Sequence, residues 1–388
     1  MVSNASNWLK NLPKPNKFNG MWLMVFGIFV SASVAFNSAN ANQDKTTYTD
    51  GEKATYEDGF YVGQYAGAKP HGTGTYTYNN GNSYSGGWKN GLWHGQGEYT
   101  GQNGGHYKGM FVDNRPSGKG ALTYPNGDRY EGDFLDGVQT GKGTKTFSTG
   151  GSYTGDFVGN VFEGQGTIKW PEGDVYSGGM ASGKPNGQGR LASTDGSTYV
   201  GDFVDGAQTG QGRKTLANGD ILIGEFSKGS HSTGRGSITT KSGNKYVGEL
   251  VMGRHFAGKG KLVLKNGDSL EGTFDIDGLN GHATIMTSEG TYVGMVVRNK
   301  KTGKGTLTTI DGDIYTGEFV DNKFEGEGTL VWRNGSIFRG KWRGGKPHGH
   351  GVYNPTSGRS LSGYWSAGCY SDNRTNQWLM TTRSECGF

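Results

Sequence analysis

An all-β chain, laid out as one elongated antiparallel sheet, is predicted by three features of the sequence. A frame of aromatics and glycines returns about every 23 residues, glycine fills 74 of 388 positions, and Asn-Gly or Asp-Gly pairs punctuate the frame. Self-similarity at a fixed period of this length marks a repeat architecture. With about one residue in five lacking a side chain, a conventional core is out of reach, and glycine does not fall at every third position as collagen requires. The regular aromatics exclude a disordered polymer.

The frame has an aromatic at its first position, Gly at +2, an aromatic at +4, Gly-x-Gly at +11 and +13, and Gly at +20, as in Tyr130 to Gly150. It starts at Tyr61, Tyr84, Tyr107, Tyr130, Tyr153, Tyr176, Tyr199, Leu222, Tyr246, Leu270, Tyr292, Tyr315, Phe338 and Leu361. The spacing is 23 residues except after Leu222, Tyr246 and Leu270, where it is 24, 24 and 22. Thirteen complete repeats and the start of a fourteenth follow.

Ahead of the array, Lys10, Lys14 and Lys17 stand without an acid, then Met21 to Phe36 is a 16-residue apolar run, then comes Ala39-Asn40-Ala41. A basic start, an apolar run shorter than the roughly 20 residues of a full span and an A-x-A site predict a signal peptide cleaved after Ala41. The alternative is an uncleaved helix at 21–36 anchoring the chain in the inner membrane. Either reading predicts an exported protein of the periplasm or cell envelope. Residues 42–60 read as a polar linker, 61–364 as the repeat array and 365–388 as a C-terminal cap, which repeat arrays need. The two cysteines, Cys369 and Cys386, both lie in that cap. In an oxidising compartment they are expected to pair, contributing about 3 kcal/mol in the chain-entropy model. The formal charge of +5 falls once the three leader lysines are removed, leaving no electrostatic case for nucleic acid.

Within a repeat, two runs of period-two alternation separated by a glycine-bearing turn predict a β-hairpin. Asn80-Gly81, Asn126-Gly127, Asn218-Gly219, Asn266-Gly267, Asp311-Gly312 and Asn334-Gly335 join one repeat to the next and accept positive φ. Some 26 strands at about 4.8 Å predict a rod on the order of 120 Å long. Side chains alternate between faces, so positions 0, +2 and +4 share one face. The expected register closes each hairpin with 0 opposite +15, +2 opposite +13 and +4 opposite +11. One face then becomes continuously apolar, its glycines leaving room for rings. On the other face +3 would meet +12, pairing Asp133 with Lys142, Glu225 with Arg235 and Glu249 with Lys259 but setting Glu318 against Glu327.

Little of the remaining sequence reads as chemistry. Gly-x-Gly belongs to the frame and opens no helix, so it is no dinucleotide fingerprint. Gly118-Lys119, Gly141-Lys142, Gly183-Lys184, Gly258-Lys259 and Gly303-Lys304 are followed by Gly or Pro, not the Ser or Thr of a P-loop. His71, His94 and His348 occupy one frame position and read as turn residues, and the +3 acids read as structural partners. No catalytic, cofactor-binding or metal-binding residue is expected. The feature with functional potential is the aromatic face, with Trp88, Trp93, Trp170, Trp332, Trp342 and Trp365 as its candidate contact rings.

The motif Y-x-G-x-(aromatic), a variable turn, then G-x-G and a later Gly resembles the MORN (membrane occupation and recognition nexus) repeat. The resemblance covers about four-fifths of the chain. It implies a non-catalytic scaffold for protein contact, with an unknown protein or a second copy as partner. An alternative is a module that binds lipid or envelope polysaccharide through the aromatic face. Similar arrays precede the catalytic domain of plant phosphatidylinositol phosphate kinases, which would make this chain an accessory to lipid phosphorylation. The repeats, however, leave no room for a kinase domain, and no kinase motif occurs.

Overall fold

The computed structural model describes residues 47–388 apart from 232–233, 252–254, 276, 373 and 388. The expected leader, with its apolar run 21–36, lies outside the described residues. No described helix is long and apolar enough to cross a membrane. Contacts divide the chain into two units, residues 47–209 and 210–388. Each is a succession of antiparallel hairpins, with 29 hydrogen-bonded sheet strands in all among the described residues. The expected all-β class, built of tandem antiparallel hairpins, is the observed one.

One hairpin shows how the sequence sets the register. In Ser152–Val158 and Val161–Lys169, Tyr153 faces Ile168 and Gly155 faces Gly166, matching 0 with +15 and +2 with +13. The register then shifts between Gly155 and Asp156, so that Phe157 faces Phe162 at +9 and not Gly164 at +11. Gly164 faces Met180, the +4 residue of the following repeat. The expected +4 to +11 pairing is therefore correct between neighbouring repeats and wrong within one. The reason is a bulge. The return strand carries two extra residues, which keeps the side-chain parity and leaves the faces unswapped. Gly164 supplies the bulge with φ +62, a conformation open to glycine at little cost.

The bulge also corrects the polar pairs. Lys119 bridges to Asp133 at 2.7 Å and Lys142 to Asp156 at 2.6 Å, each from +12 of one repeat to +3 of the next. Within a repeat, the +3 carboxylate instead accepts the backbone N–H of +12, as Asp133 does from Lys142 and Glu249 from Lys259. Arg235 faces Glu249, not Glu225, which faces Gln211. Glu318 does not face Glu327: between repeats it faces Lys304, and Glu327 faces Lys341, while within its own repeat the bulge sets Glu318 opposite Glu325.

The tight turns are also redistributed. The two-residue turns with both φ positive lie inside the repeats, as at Asp113 (φ 47) and Asn114 (φ 70), a geometry whose twist matches that of paired strands. The Asn-Gly pairs between repeats use positive φ at the glycine alone, as at Gly81 with φ 87.

At the ends, the presumed linker is partly sheet: Lys53–Tyr56 pairs with the strand that opens the array, setting Ala54 against Tyr61. Tyr48 stacks on Tyr65 at 5.0 Å, so these residues cover the first repeat. At the other end Cys369–Ser371 pairs with Asn376–Trp378, and a disulfide joins Cys369 to Cys386. Tyr370 packs on Trp365 with ring centroids 5.1 Å apart.

Within each unit the core is a column of side chains along the inner face. Tyr153 and its counterparts lie across the glycines at +2 and +13, and any Cβ built on Gly166 would overlap the Tyr153 ring. The Leu270 repeat supplies the control. Without a ring at its first position, it carries Ala283 opposite the glycine, packed beside Leu279. Gly166→Ala is accordingly expected to cost about 1 to 3 kcal/mol, and adding Tyr153→Leu should make the pair clearly less than additive. Urea unfolding of both single variants and the double variant measures this; strict additivity would refute the clearance role.

Candidate interaction surface

The inner face is built around the ring column. Tyr130 meets Phe134 of its own repeat and Phe157 of the next, at 5.1 and 4.9 Å and near-perpendicular interplanar angles of 90° and 79°. Edge-to-face pairs at such distances exploit the ring quadrupole. Each hydroxyl has a fixed partner. Tyr84, Tyr130, Tyr153, Tyr176 and Tyr292 donate to the carbonyl at +3 over 2.7 to 3.0 Å. That carbonyl sits where the bulge interrupts the ladder, so the phenol satisfies a group that the sheet leaves open. Burial pushes the Tyr153, Tyr176 and Tyr246 phenols up to about 12.

Position +9, which frame reading passed over, closes the column from the other side. Trp93 stacks on Tyr84 at 4.4 Å, Phe162 on Tyr153 at 3.9 Å and Phe324 on Tyr315 at 3.7 Å. Pro70, Pro116, Pro185 and Pro347 take the same place in other repeats, opposite the +4 side chains Tyr65, Phe111, Met180 and Trp342. Its recurrence in phase with the 23-residue frame was the signal available in the sequence.

Four of the six candidate tryptophans are therefore core residues. Trp88, Trp93, Trp342 and Trp365 are 3%, 7%, 2% and 0% exposed. The indoles of Trp88 and Trp342 donate to the carbonyls of Gly74 and Gly328. The expectation of exposed rings fails at these positions because the bulge brings +9 and the preceding repeat over them. Trp170 and Trp332 are half-buried, beside the turns between repeats, and Trp332 packs edge-on to Tyr353.

The rim inside the repeats is cross-linked by polar side chains. Asn114, Asn160 and Asn322 accept the backbone N–H at +9 of the preceding repeat. His71 and Glu163 accept tip amides of the following repeat, from Asn90 and Ser182. Those contacts account for the +10 histidine His71 structurally. Among the described residues no group of three or more His, Cys, Asp or Glu is placed to hold a metal ion.

Exposed apolar residues recur on the outer face at two positions, at +1, as in Val62, Val200, Ile223, Val247 and Val293, and at +5, just before the hairpin tips. Leu135 and Val158 are 62% and 63% exposed, and Val112, Val204, Val297 and Val320 are exposed in the same position. This row was also legible only as a recurrence. Its side chains belong to the outer face, opposite the ring column.

The repeat geometry decides the family. The MORN repeat model matches residues 61–83, 84–106, 107–129, 130–152, 153–175, 176–198, 199–221, 292–314, 315–337 and 338–356, more than half of the chain. This chain belongs to the MORN repeat family. The MORN frame persists structurally through the unmatched residues 222–291, where hairpins continue despite the altered spacing. No curated protein matches the chain. Among solved structures it is similar to the SAS-4 (dCPAP) TCP domain of Drosophila melanogaster in complex with a proline-rich motif of Ana2. There the identity is 16%, the cover 45% of this chain and 86% of that one, and the TM-score 0.27. A TCP10 domain of Danio rerio CPAP shares 12% identity over 63% of this chain and 96% of its own, with a TM-score of 0.20. A streptogramin B lyase shares 12% over 71% and 88%, with a TM-score of 0.13. At such scores none of the three bears on function.

Two predictions follow from the column. Because the folded phenols ionise near 12 and the unfolded ones near 10, the unfolded state sheds protons first. Their stabilising contribution is complete below about pH 10 and is lost as pH rises towards 12. Melting temperature followed alongside phenolate absorbance should fall in that window, and phenolate appearing without loss of structure would contradict it. Lys145, buried at +15 with its ammonium 5.0 Å from the Tyr124 ring and 5.6 Å from that of Phe147, has its pKa lowered by burial. Lys145→Leu is expected to stabilise the protein by about 1 kcal/mol, read as a rise in the urea midpoint at neutral pH.

Proposed function

We propose that this MORN protein is a non-catalytic scaffold of the cell envelope whose outer face is a contact line for another protein, a second copy included. The observation that carries the reading is the row of exposed aliphatic side chains at +5. Single exposed apolar residues are ordinary on protein surfaces, but their recurrence at one position in Val112, Leu135 and Val158 of three successive repeats favours an interaction site. Leu135 with Val138 and Val158 with Val161 are cross-strand neighbours, so the row is two side chains wide in places. The basic, then apolar start of the sequence supports export, and repetition of one contact along an array gives avidity without a strong single site. No observation favours lipid or polysaccharide binding through the aromatic face, since its rings serve as the core.

The test is the double variant Leu135→Glu with Val158→Glu. Both residues are exposed, so folding and melting should be unchanged. Chemical crosslinking in the native envelope fraction should lose its partner band, or light scattering its dimer, by at least tenfold. Retention of every crosslinked species would remove this surface from consideration.

A further inference from the structure

The outer face holds a second feature, independent of the aliphatic row. Across residues 96–178, the backbones of the paired glycines form the floor of an open groove with a volume of about 1240 Å³. These glycines have no side chain on either face, and their inner side is occupied by the tyrosine ring, as Tyr130 occupies that of Gly132 and Gly143. Beside this floor runs one row of side chains, Lys108, Ala121 and Glu131 followed by short hydroxylic residues from Thr144 to Ser177. Thr144 faces Thr154, Thr154 faces Thr167 and Thr167 faces Ser177. The hydroxyls of the first pair lie 3.0 Å apart and those of the last pair 3.1 Å. Each hydroxyl has one donor and two acceptor sites, so the pairing leaves capacity for a ligand. Glu131, next to Thr144 in the row, adds a carboxylate.

The lining chemistry selects the ligand. Lys108, Lys119 and Lys142 are each closed by a carboxylate, from Glu98 at 3.3 Å, Asp133 at 2.7 Å and Asp156 at 2.6 Å. The groove therefore offers no unbalanced positive charge to a polyanion. No aromatic side chain lines it, whereas proline-rich peptides dock on aromatic-lined grooves and added strands need an open sheet edge. A neutral ligand dense in hydroxyl and amide groups fits the remaining donors and acceptors. The period fits as well. Two strands per repeat advance the row by about 9.6 Å, close to one disaccharide of an extended linear glycan.

We propose that this groove binds a neutral linear glycan lying across the strands, centred on the hydroxyl row from Thr144 to Ser177. The contact is made by the hydroxyl row and not by the ring face.

Calorimetric titration of the whole protein with hexasaccharides of β-1,4-linked glucose and of β-1,4-linked N-acetylglucosamine, against the matching disaccharides, tests this. At least one hexasaccharide should bind, and its disaccharide at least tenfold more weakly, because length engages successive repeats. The triple variant Thr144→Val, Thr154→Val, Thr167→Val should weaken binding about fivefold per hydroxyl removed. Thr154→Arg, which fills the groove, should abolish it. The Leu135→Glu, Val158→Glu variant should bind glycan normally, so that protein contact and glycan contact fail separately. The proposal is overturned if neither hexasaccharide binds, if hexasaccharide and disaccharide bind equally, or if both groove variants bind as the unaltered protein does.

Discussion

The contact on which this architecture rests is a phenol ring lying flat over two facing glycines, with its hydroxyl on a carbonyl that the sheet cannot satisfy. A single sheet has no second layer to bury its apolar face, the usual solution in folded domains. Here each hairpin supplies its own cover. The ring fills the space that the glycines vacate, the bulge turns +9 onto its other side, and the +4 side chain of the next repeat, in most repeats a ring, closes it. Tyr153 and Tyr176 are thereby fully buried in a structure one sheet thick.

That contact explains why glycine and tyrosine are so abundant and why they are coupled. Glycine at +2 and +13 makes room, and glycine at +11 lets the return strand bulge. The bulge breaks one rung of the ladder and exposes a carbonyl, so a phenol serves where a phenyl ring would leave an unmet acceptor. The repeats starting at Leu222 and Leu270 show how far the rule bends. They lack the ring, the second of them admits Ala283 where the others carry glycine, and strand pairing continues through both.

Function then follows from which side chains this packing leaves outside. The aromatics are consumed by the core, so a surface read as aromatic from the sequence is aliphatic and polar in the folded chain. The outer face offers an exposed aliphatic row near the hairpin tips and a glycine-floored trough with hydroxyls along it. The rims, stitched by Asn114, Asn160 and Asn322 from one repeat to the next, are occupied with holding the hairpins in register.

The sequence by itself determined the period, the strand content, the assignment of residues to the two faces and the matching of 0 with +15 and +2 with +13. Each of these depends on local spacing and on the strict alternation of side chains along a strand, and both are visible in one dimension. Only the tertiary structure decided that +4 meets +9 within a repeat and +11 of the repeat before. A bulge changes which residues are neighbours without changing the alternation, so it leaves no trace in the pattern of polar and apolar residues. For the same reason the ion pairs fell between repeats and the tryptophans Trp88, Trp93, Trp342 and Trp365 were covered, whereas Leu135 and Val158 lie on the outer face by alternation alone. Burial is set by what comes to lie over a side chain, and that is fixed by the neighbouring hairpin.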